Sequence, residues 1–277
     1  VARRLRLDSE LVRRGLVRSR EQAATLIADG RIEVRGIRAT KPATGVDPDT
    51  PLRIVESDRD DYASRGGHKL AGALDTFADL NVQDKRCLDA GASTGGFTDV
   101  LLRRGARQVV AVDVGYGQLA WPLRSDERVT VVDRTNVRTL TADEIGGPVE
   151  VTVADLSFIS LRIVLPALIA CTQDGGDLVP MVKPQFEVGR ERLGSGGVVR
   201  DPELRADVVI EVARAAAQRG WGTAGVARSP LPGPSGNVEF FLWLRRAALG
   251  DDRSVDDAQI RAVVTADATV DETGAHS

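Results

Sequence analysis

Apolar and polar positions divide the chain into two patterns. Through residue 55 the apolar runs are short. Leu11 and Val12 predict a brief helix over 8–14, ended by Gly15. Ser19 with Gln22 makes a capping box for a second helix, whose stripe is Ala23, Ala24, Leu26 and Ile27 and whose stop is Gly30. Ile32 and Val34 then alternate with Glu33, Arg35-Gly36 turns, and a further strand is expected around 52–55. Residues 57–65 are polar and read as a linker. Beyond them the apolar runs lengthen and alternate in type. Leu70, Ala73, Leu74 and Phe77 at helical spacing predict a helix over 68–80. Cys87-Leu88 forms a buried strand ending in Asp89. Later strands at 109–112, 129–132, 149–154 and 178–182 end at or near Asp113, Asp133, Asp155 and Lys183. Helices over 98–105, 117–124, 160–171 and 202–219 fit between them, the last opened by Asp201-Pro202. Segments 221–228 and 237–244 read as an antiparallel pair joined by the proline-glycine loop 230–236.

This alternation predicts an α/β fold: a doubly wound, Rossmann-like parallel sheet preceded by a small α+β unit. The expected boundaries are 1–56 for the small domain, 57–65 for the linker and 66–247 for the large domain, with an acidic tail over 248–277. From Gly250 onward seven acidic residues oppose two arginines, with little apolar periodicity. The tail is therefore expected to be largely disordered, apart from one helical turn around Ile260.

Charge changes the picture at one end. The net charge is −3, yet residues 1–41 carry eleven Arg and Lys against five Asp and Glu. A basic arm on an acidic body points toward nucleic acid; ordinary scatter on a solvated surface is the plainer alternative. The basic residues comprise 33 arginines and only four lysines, Lys41, Lys69, Lys85 and Lys183. Each lysine is informative for that reason, because its amine can lose a proton and a guanidinium cannot. Cys87 and Cys171 lie in apolar runs and read as buried thiols in a reducing compartment. The most apolar stretch, 159–171, is interrupted by Ser160, Arg162 and Pro166, too short and polar to span a membrane. A soluble, cytoplasmic, monomeric protein is expected. His68 is given no chemistry and no metal site is foreseen.

Residues 86–97 carry the first candidate chemistry: a strand, a glycine-rich loop and a helix start, the arrangement that binds nucleotide-like ligands at a helix N-terminus. A dinucleotide site wants Gly-x-Gly-x-x-Gly, but Ser93 stands at the second glycine's place in Gly91-Ala92-Ser93-Thr94-Gly95-Gly96. S-adenosylmethionine (SAM) fits better, with Asp89 near its ammonium end and Asp113 accepting from ribose hydroxyls. In the bland alternative the two acids merely cap helices. Asn136 or Asp133, at the third strand's end, would approach the adenine. Lys69, Asp155, Lys183 and Glu239 can converge on the same crevice. Glu239 sits among apolar residues, where a charge is costly unless paired, and sheet-end salt bridges are the competing explanation.

Two resemblances sharpen these readings. Arg6-Leu7-Asp8, Leu11-Val12, Gly15-Leu16, Ser19-Arg20, Ala23-Ala24, Ile27, Gly30, Val34 and Gly36 resemble the RNA-binding module of ribosomal protein S-four, pseudouridine synthases and tyrosyl-tRNA synthetases. That likeness implies phosphate contacts by Arg4, Arg6, Arg18, Arg20 and Lys41, which position RNA without reading its sequence. Lys69, Asp155, Lys183 and Glu239 match the Lys-Asp-Lys-Glu set of FtsJ-like ribose 2′-O-methyltransferases. With Ser64 to Leu70, Asp89 to Thr98, Val112 to Leu119, Asp155 to Ser160, Val182 to Glu187 and Gly233 to Glu239, the chain resembles the TlyA (haemolysin A) family over roughly 2–245.

The resemblance implies a class I methyltransferase domain and SAM-dependent 2′-O-methylation of cytidine in 16S and 23S rRNA, on ribosomal subunits. It implies catalytic roles for the four matched residues. The implied cofactor residues are Asp89, Gly91, Ala92, Ser93, Thr94, Gly95, Asp113, Val114, Asn136 and Asp155. Lys183 is taken to touch the 2′-oxygen, as a base or as a steering cation. Lys69 as a like charge would favour its amine, while Asp155 and Glu239 would favour the ammonium. Phe158 is the candidate for stacking a displaced base, against ordinary core packing. Ser235, Arg134 and Arg138 are further RNA candidates, and 189–197 reads as a flap whose Arg190 and Arg192 could meet phosphate. A membrane-active haemolysin and a catalytically silent RNA-binding protein are the alternative functions.

Overall fold

In the computed structural model, residues 4–17, 19–28, 30–55, 62–189, 191–233, 236–246 and 254–266 are described. The chain forms two compact units, residues 1–65 and 66–277. In the first, β1 (Leu5–Arg6) leads into α1 (Leu7–Arg13), and α2 (Arg20–Ala28) follows. The Ser19 hydroxyl accepts the Gln22 N–H at 3.1 Å, the expected cap. Strands β2 (Ile32–Val34), β3 (Ile37–Arg38), β4 (Gly45–Val46) and β5 (Leu52–Ile54) complete the unit. β2 is flanked by β3 and β5, and β1 pairs with β4. Leu7, Leu11, Ala23, Leu26, Ile27 and Ile32 form one buried cluster beneath both helices. Two acids are buried with them. Glu10 accepts from Arg13 and Arg14, and Asp8 from Arg6 and Arg20.

The second unit opens with α3 (Gly66–Thr76), β6 (Arg86–Ala90), α4 (Gly96–Arg103), β7 (Gln108–Val112), α5 (Trp121–Arg124), β8 (Val129–Val132) and β9 (Val149–Ala154). It continues with α6 (Leu161–Cys171), β10 (Thr172–Val182), α7 (Pro184–Glu187), α8 (Pro202–Ala217), β11 (Trp221–Arg228), β12 (Phe240–Arg246) and α9 (Asp257–Thr265). The seven-stranded sheet runs β11-β12-β10-β9-β6-β7-β8. Only β12 runs against its neighbours, pairing antiparallel with both β10 and β11. From β6 the chain steps outward to β7 and β8, then returns to lay β9 on the other side of β6. The crevice for a ligand therefore opens at the carboxyl ends of β6 and β9. One face of the sheet packs on α6, α8 and α9 through Leu88, Val110, Leu165, Leu168, Val209 and Phe240. On the other, Phe97 meets Phe241 and Phe77 meets Trp243. Cys87 and Cys171 are free and buried, with burial pushing their thiols up to about 12 and about 11.

Three elements differ from expectation. The helix foreseen over 117–124 is only the four-residue α5: Gly117 sits at φ +64°, a left-handed conformation that breaks the helix, and its N–H is bound by Asp133. β10 begins six residues earlier than the apolar run suggests, its polar first half joining β9 through a register shift between Thr172 and Asp177. Where one helical turn is expected around Ile260, α9 is a full helix of nine residues. Asp256 and Gln259 make a reciprocal capping box, and Ile260 and Val264 are buried against the large cluster. Arg214 pairs with Asp257, and Arg261 with Glu203 and Asp207 of α8. Just ahead of α9, the Val255 N–H donates to the Thr223 carbonyl of β11 at 2.7 Å.

Candidate active site

The glycine loop lies against the end of β9. Gly91 has φ +88°, and a Cβ there would overlap the Asp155 carbonyl oxygen, so only glycine fits. Ser93, also left-handed at φ +47°, donates its N–H to Asp113 Oδ2 at 2.8 Å, and Gly115 donates to Oδ1 at 2.7 Å. Asp113 thus ties the glycine loop to the loop after β7 rather than capping a helix. Val114 beside it is exposed. Asp89 is fully buried. Its Oδ2 accepts the Thr98 hydroxyl at 2.6 Å on the first turn of α4, while Oδ1 has no partner. Burial pushes its pKa up to about 7, against the opposing pull of Thr98. The capping reading of Asp89 is therefore half met, and the orphaned oxygen suits a ligand that brings a cation or an N–H. Ala92 is buried, and the Thr94 carbonyl accepts from Ala120. Asn136 caps the turn at 137–139 through the Arg138 N–H, and Asp133 also meets Arg124 at 3.1 Å.

The four residues expected to be catalytic, Lys69, Asp155, Lys183 and Glu239, form two ion pairs. Lys69, on the first turn of α3, donates to Glu239 Oε2 at 2.5 Å. Lys183 lies 2.5 Å from Asp155 Oδ1 and donates to Ser157 Oγ at 2.9 Å. Register explains the convergence: Val182 pairs with Phe240 across β10 and β12, so Lys183 and Glu239 follow at matching positions. The pairs differ in access. The side chains of Lys69 and Glu239 are 6% and 1% exposed, whereas those of Lys183 and Asp155 are 10% and 25% exposed. Glu239 Oε1 is buried without a partner beside Gly233, where a Cβ would stand 2.6 Å from it. The second pair is the more exposed of the two, chiefly through Asp155.

Phe158 is not core. It is 88% exposed at φ +63°, with its ring 5.1 Å from that of Phe186. Left-handed backbone costs an aromatic residue about 1–2 kcal/mol, so the loop must be held from outside. Glu187 does this, accepting the Ser160 hydroxyl at 2.6 Å and the Leu161 N–H at 2.7 Å. Burial raises the Glu187 pKa. Ser157, Phe186 and Glu187 had no sequence signal of their own beyond lying in matched motifs.

Among the RNA candidates, Arg6 and Arg20 converge on Asp8, which holds their heads while each side chain stays more than half exposed. Arg4 is 3.6 Å from Asp47, and Lys41 is exposed. Arg134, left-handed at φ +58°, stacks over Tyr116 at 4.2 Å, and Arg138 is exposed. Arg192 donates to the Val188 carbonyl at 3.0 Å. Arg18, Arg190 and Ser235 lie outside the described residues. Among the described residues no helix is long and apolar enough to cross a membrane, and no group of three or more His, Cys, Asp or Glu could hold a metal ion.

Residues 62–246 match the FtsJ-like methyltransferase family, and residues 5–51 match the S4 domain. The chain belongs to the TlyA family of FtsJ-like methyltransferases. It is 62% identical over 245 residues to the 16S/23S rRNA (cytidine-2′-O)-methyltransferase TlyA of Mycobacterium tuberculosis, covering 88% of this chain and 91% of that one. A Bacillus subtilis family member, YqxC, named provisionally as an rRNA methyltransferase, is 46% identical over 94% of this chain and 92% of its own. A solved Streptococcus thermophilus structure, named provisionally as a hemolysin, is 38% identical with a TM-score of 0.74, covering 99% of this chain and 98% of that one.

Proposed function

We propose that this chain transfers a methyl group from SAM to the ribose 2′-oxygen of cytidine in rRNA, on assembled subunits, acting on both 16S and 23S rRNA in the cytoplasm. The observation that carries the reading is the Lys183–Asp155 pair, partly exposed through Asp155 while Lys69 and Glu239 form a second, more deeply buried pair. SAM, when bound, supplies the electrophilic sulfonium methyl. Asp89, the 91–95 loop, Asp113, Val114 and Asn136 would hold it, with Asp89 Oδ1 as the waiting acceptor. Lys183 serves the proton that leaves the 2′-hydroxyl, which is a poor acid without such help. Asp155 keeps the amine in place. Lys69 and Glu239 brace the end of β12 beside it. Phe158, exposed and strained, offers its face to a base turned out of its stack. Arg4, Arg6, Arg18, Arg20 and Lys41 anchor the RNA backbone from residues 1–56, with Arg134, Arg138 and Ser235 adding contacts on the catalytic unit.

Lys183→Arg keeps the charge but loses the tunable amine. It is expected to lower methylation by about 10²- to 10⁴-fold while SAM affinity stays nearly unchanged. Labelled SAM, purified subunits of both sizes and mapping of 2′-O-methyl nucleotides measure this. Full turnover by the variant would remove Lys183 from the mechanism. Binding of subunits with no methyl incorporation by the unaltered chain would favour a silent RNA-binding protein.

A further inference from the structure

Lys183 has three N–H directions, and its hydrogen bond to Ser157 Oγ at 2.9 Å uses one. Asp155 Oδ1 pairs with its charge at 2.5 Å without meeting hydrogen-bond geometry. A lone carboxylate holds a lysine poorly in direction, because the flexible four-carbon stem lets the ammonium swing about its partner. A second partner on a different bearing stops the swing and fixes where the remaining directions point. We propose that Ser157 is a positioning residue of the methyl-transfer site, whose hydrogen bond, beside the Asp155 ion pair, orients the Lys183 head group and leaves N–H capacity for the 2′-oxygen. This inference rests on the methyl-transfer reading above.

The hydroxyl contributes something the carboxylate cannot. An ionised carboxylate only accepts, so Asp155 holds Lys183 by its charge and can donate nothing to a neutral amine. A serine hydroxyl accepts from an ammonium and can also donate to an amine. The Ser157 contact therefore survives whichever way the lysine proton moves. The loop is built to keep Ser157 there. Its near end is fixed by the Asp155 N–H to the Ala90 carbonyl at 3.0 Å, and its far end by Glu187 to Ser160 and Leu161. Ser157 itself is exposed, so the contact is made on the side a substrate approaches.

The test uses the full chain and does not depend on turnover alone. With only four lysines, labelling with ε-¹³C-lysine gives few signals, and Lys183→Arg identifies its own by deletion. In Ser157→Ala the Lys183 Cε order parameter should fall toward that of exposed Lys41. In the same variant kcat should drop about 10- to 100-fold, the scale of a misplaced reacting group. KM for ribosomal subunits and Kd for SAM should stay within about twofold, since the hydroxyl orients a group and binds neither partner. Ser157→Thr should restore both order and kcat. An equally ordered Lys183 in Ser157→Ala overturns the proposal, as does a loosened Lys183 with unchanged kcat, or a loss confined to KM or Kd. An unaltered chain with no turnover would count against the methyl-transfer reading instead, while the order parameters still decide whether Ser157 holds the lysine.

Discussion

Lys69 and Lys183 each meet a carboxylate at 2.5 Å, and the two pairs differ in access chiefly because Asp155 is partly exposed where Glu239 is buried. Removing one partner of the more buried pair strands a charge. Glu239→Ala should cost about 3–5 kcal/mol in urea unfolding, because the Lys69 ammonium is left buried. Asp155→Ala should cost clearly less stability and still abolish turnover, so the two variants separate bracing from chemistry. Phe158 shows the reverse trade. Asparagine tolerates the left-handed backbone that Phe158 endures. Phe158→Asn should therefore leave the unfolding midpoint unchanged or raised while lowering methylation at least about tenfold, as unfolding curves and subunit assays on one preparation would show.

The elements that position the site were largely legible, because buried parallel strands write themselves as apolar runs ending in a polar residue. Asp89, Asp113, Asp155 and Lys183 all stand at or just beyond such ends. Rarity helped as well: four lysines among 37 basic residues, and one glutamate between Val238 and Phe240. What stayed hidden depends on partners distant in the chain. The first half of β10 is polar and joins the sheet through an irregular register. α9 buries only Ile260 and Val264, and much of its hold comes from ion pairs to α8 that no local pattern records. Ser157 and Glu187 look like ordinary loop and turn residues until β9 and β10 bring their segments together. The glycine loop was legible because its glycines are contiguous with the strand that ends at Ala90, although the contact that excludes a Cβ at Gly91 comes from distant Asp155. Gly91→Ala should lose SAM binding by calorimetry and lower stability, since a Cβ there meets backbone that cannot step aside.

The two units hold buried carboxyls that are shifted in opposite directions. In residues 1–65, arginines hold Glu10 down to about 2 and Asp8 well below the usual carboxylate range. The stability these pairs give is complete above pH ~4.5 and is lost as pH falls through the folded-state values. In the catalytic unit, burial lifts Asp89 to about 7 and raises Glu187. Their ionisation weighs against folding at higher pH, and that cost is relieved as pH falls from about 7 toward about 4. All three tryptophans, Trp121, Trp221 and Trp243, belong to the catalytic unit. On acidification below pH ~4, loss of helical circular dichroism should precede any change in tryptophan emission; the opposite order would refute the assignment. The other whole-molecule consequence lies at β11, the outermost strand, whose free side is met by Val255 and whose flank is packed by α9. A chain cut after Arg246 would keep every residue of the family match and yet free the Thr223 carbonyl of the edge strand and bare the apolar surface that α9 covers. Such an open edge recruits strands from other copies. The truncated enzyme should therefore self-associate in light scattering where the full chain does not, which would make α9 a guard against aggregation.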